Sequence, residues 1–186
     1  MAELEQMEKY SDKKPAGVRS FVRRHWTTIR SWLMFAVTMG VWLIWYPIIV
    51  RSGVLNGLLT FNADVTCRML RFLGRDTAVN GTTIASSSFT MRVGIECTAV
   101  VPAVILLCAL VAYPARLTKK LVAVAIGVPA LFVLNLVRLV TLYNIGVSAP
   151  RFFDVAHYMV WQSIMVIAVV AIWLCWVGKV ANARPT

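Results

Sequence analysis

Three side chains in this sequence could do nucleophilic chemistry together: Cys97 in GIECTAVVPAV, Arg138 in LNLVRLVTLY and His157 in FFDVAHYMVWQ. A thiol becomes a nucleophile when a neighbouring base or cation draws off its proton. Histidine can take that proton near neutral pH and hand it on to a leaving group. An arginine within an apolar stretch costs about 2.5–3.5 kcal/mol on insertion scales, so it is expected to face inward and to serve a polar partner. Beside a thiol, its guanidinium favours the thiolate. Asn135, Glu96, Thr98 and Asp154 are the polar residues close enough in sequence to support these three, with Asn135 expected to fix Arg138. Consecutive helical residues point about 100° apart, so Glu96 is expected to turn away from the thiol, toward Arg92 or Arg138. A cysteine activated in this way reacts at lower pH than a free thiol. Taken singly, each residue has a plainer explanation: a small residue at a boundary, a histidine bonded to water, an arginine paired with Glu96 or Asp154 to hold helices together.

These residues can meet only if the elements carrying them bring them to one depth. At 59% hydrophobic residues with seven tryptophans, 186 residues cannot hide their apolar surface in a soluble fold. Membrane spans of about 20 residues absorb it. Four such stretches are legible: 32–50, 94–113, 121–146 with Pro129 as an interruption, and 155–178. The segment 52–93 is not a span. Leu55, Leu58, Leu59, Val65, Met69, Leu70 and Phe72 suit an amphipathic helix at the interface, and Asn80-Gly81 is a hairpin-type turn between short extended runs. Residues 1–31 read as a basic arm ending in an amphipathic helix, and 179–186 as a short tail. The expected fold class is therefore all-α integral membrane, with about four transmembrane helices, an interfacial helix and a small extracytoplasmic segment holding a short β-hairpin.

Lys and Arg set the orientation: with the amino terminus inside, twelve fall on the cytoplasmic side and six outside, Arg138 lying within a span. Both termini are then cytoplasmic, and Cys97 and His157 open their spans at the outer face. Arg138, about 12 Å below that face at a 1.5 Å rise, can snorkel up to them.

Other chemistries find no footing. The remaining cysteines, Cys67, Cys108 and Cys175, show no CxxC or Cys/His spacing, so no metal and no cofactor are expected. The net charge of +11 collects beside apolar runs, where it meets anionic lipid rather than nucleic acid.

The segments ECTAVVPAV, LNLVRLVTLY and FFDVAHYMVWQ together resemble the exosortase/archaeosortase family of membrane cysteine transpeptidases over roughly residues 94–178. Many members carry Gly where this chain has Ala99, and many have further spans ahead of the core, so the chain resembles a compact member. The resemblance implies Cys97 as nucleophile, Arg138 as oxyanion stabiliser or thiolate partner and His157 as general acid/base. It implies substrates that are exported proteins ending in a sorting motif, a transmembrane helix and a basic tail. The product passes to an amine or to water, at the outer face of a prokaryotic plasma (inner) membrane. The competing reading is a noncatalytic membrane subunit of an envelope or polysaccharide assembly system, in which Arg138 and His157 only join helices.

Overall fold

The computed structural model describes residues 18–182. The first part of the expected basic arm, 1–17, and residues 183–186 lie outside it. Helix α1, Val18–Arg51, is one continuous rod of 34 residues rather than a surface helix followed by a separate span. No proline removes a backbone donor before Pro47, which stands one turn from the end, so nothing breaks the helix where the polar face gives way to the apolar one. Trp32, Leu33, Val37, Leu43 and Ile44 point away from the rest of the protein.

The segment after α1 forms a cover. Helix α2, Asn56–Phe72, buries Leu59, Asn62, Ala63, Thr66, Cys67 and Leu70, an alternating three-and-four spacing that makes one face. This corrects the expected stripe: Leu59 and Leu70 belong to it, but Phe72 is 92% exposed. Small and polar side chains at 62, 63 and 66 let the helix come close to its neighbour, while larger ones point outward. Three short strands follow, β1 (Ala78–Asn80), β2 (Thr83–Ala85) and β3 (Thr90–Arg92), in an antiparallel sheet of that order. The Asn80-Gly81 turn is where the sequence puts it, with Asn80 opposite Thr83 and Gly81 at φ +58. The third strand is an addition to the expected hairpin. Arg71 Nε donates to the Thr77 carbonyl at 2.7 Å, tying α2 to the sheet.

Cys97 ends a 3₁₀ turn, Ile95–Cys97, and helix α3 begins only at Val100, running to Ala112. The expected span over 94–113 is thus shorter as a helix, because Gly94 (ψ 178) and Thr98 (φ −112, ψ 161) are both extended. Helix α4, Leu117–Ser148, continues straight through Pro129, which the sequence reading takes as an interruption. A 3₁₀ turn, Pro150–Phe152, and a π-helical turn, Val155–Val160, then lead into helix α5, Trp161–Asn182.

Two clusters hold these parts together. Ala63, Cys67, Leu70, Ile84, Met91 and Val93 of the cover and its exit pack on Leu139, Leu142 and Tyr143 of α4, with Cys97, Ala156 and Trp161 in the same cluster. Leu106, Leu110, Leu131, Met165, Val169 and Trp176 join α3, α4 and α5. Gly127 permits the close approach there, since a Cβ would lie 2.8 Å from Leu106 Cδ2. The fold is mostly helical. Three stretches, His25–Arg51, Leu117–Ser148 and Pro150–Val180, are long and apolar enough to cross a membrane, with mean hydropathies of 2.0, 2.2 and 2.2.

Candidate active site

The cysteine and the histidine sit in the two irregular turns. Cys97 Sγ lies 3.1 Å from His157 Nε2, a hydrogen bond between buried side chains sixty residues apart in sequence. Each is held by local geometry rather than by regular helix. On the cysteine side, the amide of Cys97 donates to the Gly94 carbonyl and that of Thr98 to Ile95, both at 3.0 Å. The Thr98 hydroxyl donates to the same Ile95 carbonyl at 2.7 Å and accepts, at 3.4 Å, from the Val100 amide that opens α3. On the histidine side, the π-helical turn admits an extra residue between Asp154 and Trp161, a device that recurs at functional sites because it re-aims side chains without ending the helix. Phe153 stacks on the imidazole with ring centroids 6.0 Å apart, and Tyr158 meets it edge-on at 4.4 Å.

Arg138 is 2% exposed, on α4. Its Nε has no hydrogen-bond partner. The one ion pair among the described residues joins Arg68 to Asp64 on the outer face of α2, so Arg138 pairs with neither Glu96 nor Asp154. Arg138 nonetheless lies near enough to act electrostatically on the Cys97 thiol. It also lines, with His157, a cavity of about 240 Å³ bounded by Tyr46, Glu96, Thr98 and Gln162. Tyr46 belongs to α1 and Gln162 to α5, so the cavity lies where the first and last helices face each other across the start of α3.

Cys97 stands in the turn ahead of α3, and its burial is the largest influence on its acidity. Burial pushes the thiol up from its ordinary value of 9.0; a backbone hydrogen bond at Gly94 and the positive charge of Arg138 pull it back, and Glu96 adds to the rise. This direction runs against the expectation of a thiol ionising early.

Asn135 behaves differently from the expected clamp on Arg138. Its Nδ2 donates to the Cys97 carbonyl at 3.0 Å and to Asn62 Oδ1 at 3.3 Å, and its Oδ1 has no partner. Glu96 is exposed, its carboxylate folded back over Gly94 rather than paired with Arg92 or Arg138. Asp154 is exposed and its side chain caps nothing. The structure thus gathers Cys97, Thr98, Asn135, Arg138 and His157 and leaves Glu96 and Asp154 at the rim. Sequence reasoning missed Asn62, Phe153, Tyr158 and Tyr46. Asn62 carried a signal, as a polar residue three positions after Leu59 on the same helical face. No group of His, Cys, Asp and Glu among the described residues could hold a metal ion.

Comparison of the chain with protein-family models, curated proteins and solved structures finds no match in any of the three.

Proposed function

We propose that this chain is a membrane-embedded cysteine peptidase or transpeptidase that cleaves a carboxy-terminal sorting signal from exported proteins at the outer face of a prokaryotic inner membrane. The observation that carries the reading is the buried 3.1 Å contact between Cys97 Sγ and His157 Nε2, beside an arginine that has no counter-ion among the described residues. The two residues stand in special backbone turns on either side of α3. A histidine that served only as packing needs neither a thiol nor a cation beside it.

In this reading α3 joins the three long helices as a fourth span, both termini lie in the cytoplasm, and the cover of α2 and the sheet lies outside. The substrate's own transmembrane helix lies in the lipid beside the cavity, with its scissile peptide at Cys97. As Sγ attacks the carbonyl carbon, His157 Nε2 takes the thiol proton. The carbonyl oxygen becomes an anion that the Arg138 guanidinium, which lines the cavity, can receive; a donor in that position is commonly worth about 3 kcal/mol. The carbon–nitrogen bond then breaks, the leaving amine takes the proton from His157, and a thioester remains on Cys97. An incoming amine, or water, gives its proton to His157, adds to the thioester and releases the thiol. No cofactor enters any step.

The test is coexpression with a panel of exported proteins that end in a motif, a transmembrane helix and a basic tail, followed by mass spectrometry of Cys97 and of the new carboxyl terminus. A thioester on Cys97 with a matching cleavage site supports the reading. Absence of both across the panel moves the weight to a noncatalytic membrane subunit.

A further inference from the structure

The Cys97 carbonyl points into a buried polar cluster that the chemistry above does not use. It closes a three-residue turn flanked by extended backbone, so no helical amide reaches it, and a buried carbonyl left unpaired is costly. Asn135 Nδ2 supplies the missing donor at 3.0 Å. The second hydrogen of that amide goes to Asn62 Oδ1 at 3.3 Å, and Asn62 is itself anchored by its Nδ2 to the Leu58 carbonyl at 2.8 Å. Asn62 is 1% exposed and Asn135 is wholly buried.

Two acceptors facing one amide nitrogen fix which way the amide lies, because the flipped form would set its oxygen against both. Without Asn62 that restraint halves. Asn135 Oδ1 and Arg138 Nε are both buried without partners, one helical turn apart on α4. An Asn135 released by Asn62 can turn its oxygen toward the guanidinium and abandon the Cys97 carbonyl. Asn62 holds the arrangement that serves cysteine.

We propose that Asn62 and Asn135 form a positioning relay for Cys97, in which α2 of the outer cover, through two amide side chains, keeps the thiol within proton-transfer distance of His157. This rests on the acid–base reading of the Cys97–His157 pair. Neither asparagine touches the reacting atoms.

The test reads the alkylation rate of Cys97 by iodoacetamide in the full-length protein in membranes, quantified at the peptide level at neutral pH. It compares wild type, Asn62→Leu, Asn135→Leu, His157→Ala and the pairwise combinations with His157→Ala. Alkylation needs no substrate, so it is independent of whether the sorting reaction has been identified. In the wild type His157 is expected to accelerate alkylation. Asn62→Leu is expected to slow it about fivefold, the equivalent of one hydrogen bond of ordinary net worth, and to have no further effect once His157 is alanine. A merely structural loosening has the opposite sign, since it exposes the thiol and speeds the reaction. Should Asn62→Leu fail to insert, Asn62→Ala, smaller and with no acceptor for Asn135, is read in the same way. Alkylation that is unchanged or faster in the Asn62 variant, or that keeps its full dependence on His157, overturns the relay alone. A wild type indifferent to His157→Ala overturns the acid–base pair and the relay with it.

Discussion

A buried thiol one hydrogen bond from an imidazole fixes what each substitution should do. Cys97→Ala should leave an inserted, folded protein with no processing, measured as the fraction of substrate cleaved in cells. Arg138→Lys keeps the charge but loses the planar guanidinium and its Nε–H, so processing should fall about 100-fold, the usual loss for one oxyanion donor. A lysine variant with near-normal processing would assign Arg138 to helix joining. The acidity of Cys97 supplies a third expectation. Burial raises the thiol above its ordinary value of 9.0, which shifts its ionisation to higher pH than that of an exposed thiol. In His157→Ala, where assisted transfer is lost, the alkylation rate should therefore rise with pH later than that of an exposed thiol, and an earlier rise would contradict the burial argument. At this scale the sequence is informative where a residue is out of place: a cysteine, an arginine and a histidine among apolar neighbours announce themselves. Asn62 does not, because a search for apolar stripes passes over an asparagine that completes the buried face. Nor does the weight of desolvation on Cys97, which depends on tertiary burial.

Elements place these residues by being irregular where regularity would fail. Had Gly94–Ala112 wound as one helix, the Cys97 carbonyl would bond within the helix and Asn135 would have nothing to hold. The extended Thr98 interrupts it. Opposite, the π-helical turn sets His157 between Phe153 and Tyr158. Phe153 rests in turn on Phe89 of the cover, centroids 5.7 Å apart, and the Phe89 ring occupies the place of a side chain at Gly146. The cover therefore reaches the histidine through a wedge of aromatic rings. Gly146→Ala drives a methyl group into that ring, and overpacking of this kind costs about 1–3 kcal/mol. A lower melting temperature is expected in detergent, recovered when Phe89→Leu is added. If the single variant melts as the wild type does, the wedge is not tight. Helix positions were legible from hydropathy, and the Asn80-Gly81 turn from its residue types. The 3₁₀ and π turns were not, because hydrogen-bond spacing inside an apolar run leaves no mark on composition, and α4 runs on through Pro129 with Ala123 and Leu131, on either side of it, packed into the cluster with α3 and α5.

At the scale of the whole molecule, one side is packed and the other is bare. Helix α1 leans on α3 and turns its tryptophans and leucines outward, as do the outer faces of α4 and α5. Those surfaces suit lipid, and the excess of Lys and Arg at the termini and the 114–120 loop is what the proposed orientation, with both termini inside, rests on. A fluorescent-protein fusion after Thr186, which folds only in the cytoplasm, should glow, and a cysteine introduced at Ser87 in the β2–β3 loop should react with an impermeant maleimide from outside. The reverse pattern would put the cover, and with it the turn bearing Cys97, on the cytoplasmic side.

If α3 crosses the membrane as proposed, its brevity has a mechanical meaning for the surrounding bilayer. Its 13 residues rise only about 20 Å at ~1.5 Å each, against roughly 30 Å of hydrocarbon. A span too short for its membrane draws the two leaflets together or sinks its ends below their surface. With α3 as the proposed fourth span, the turn carrying Cys97 would stand in a dimple, reached from the side by something already dissolved in acyl chains more readily than from the water above. Membrane thickness then becomes a control on access, set by the lipids a cell makes.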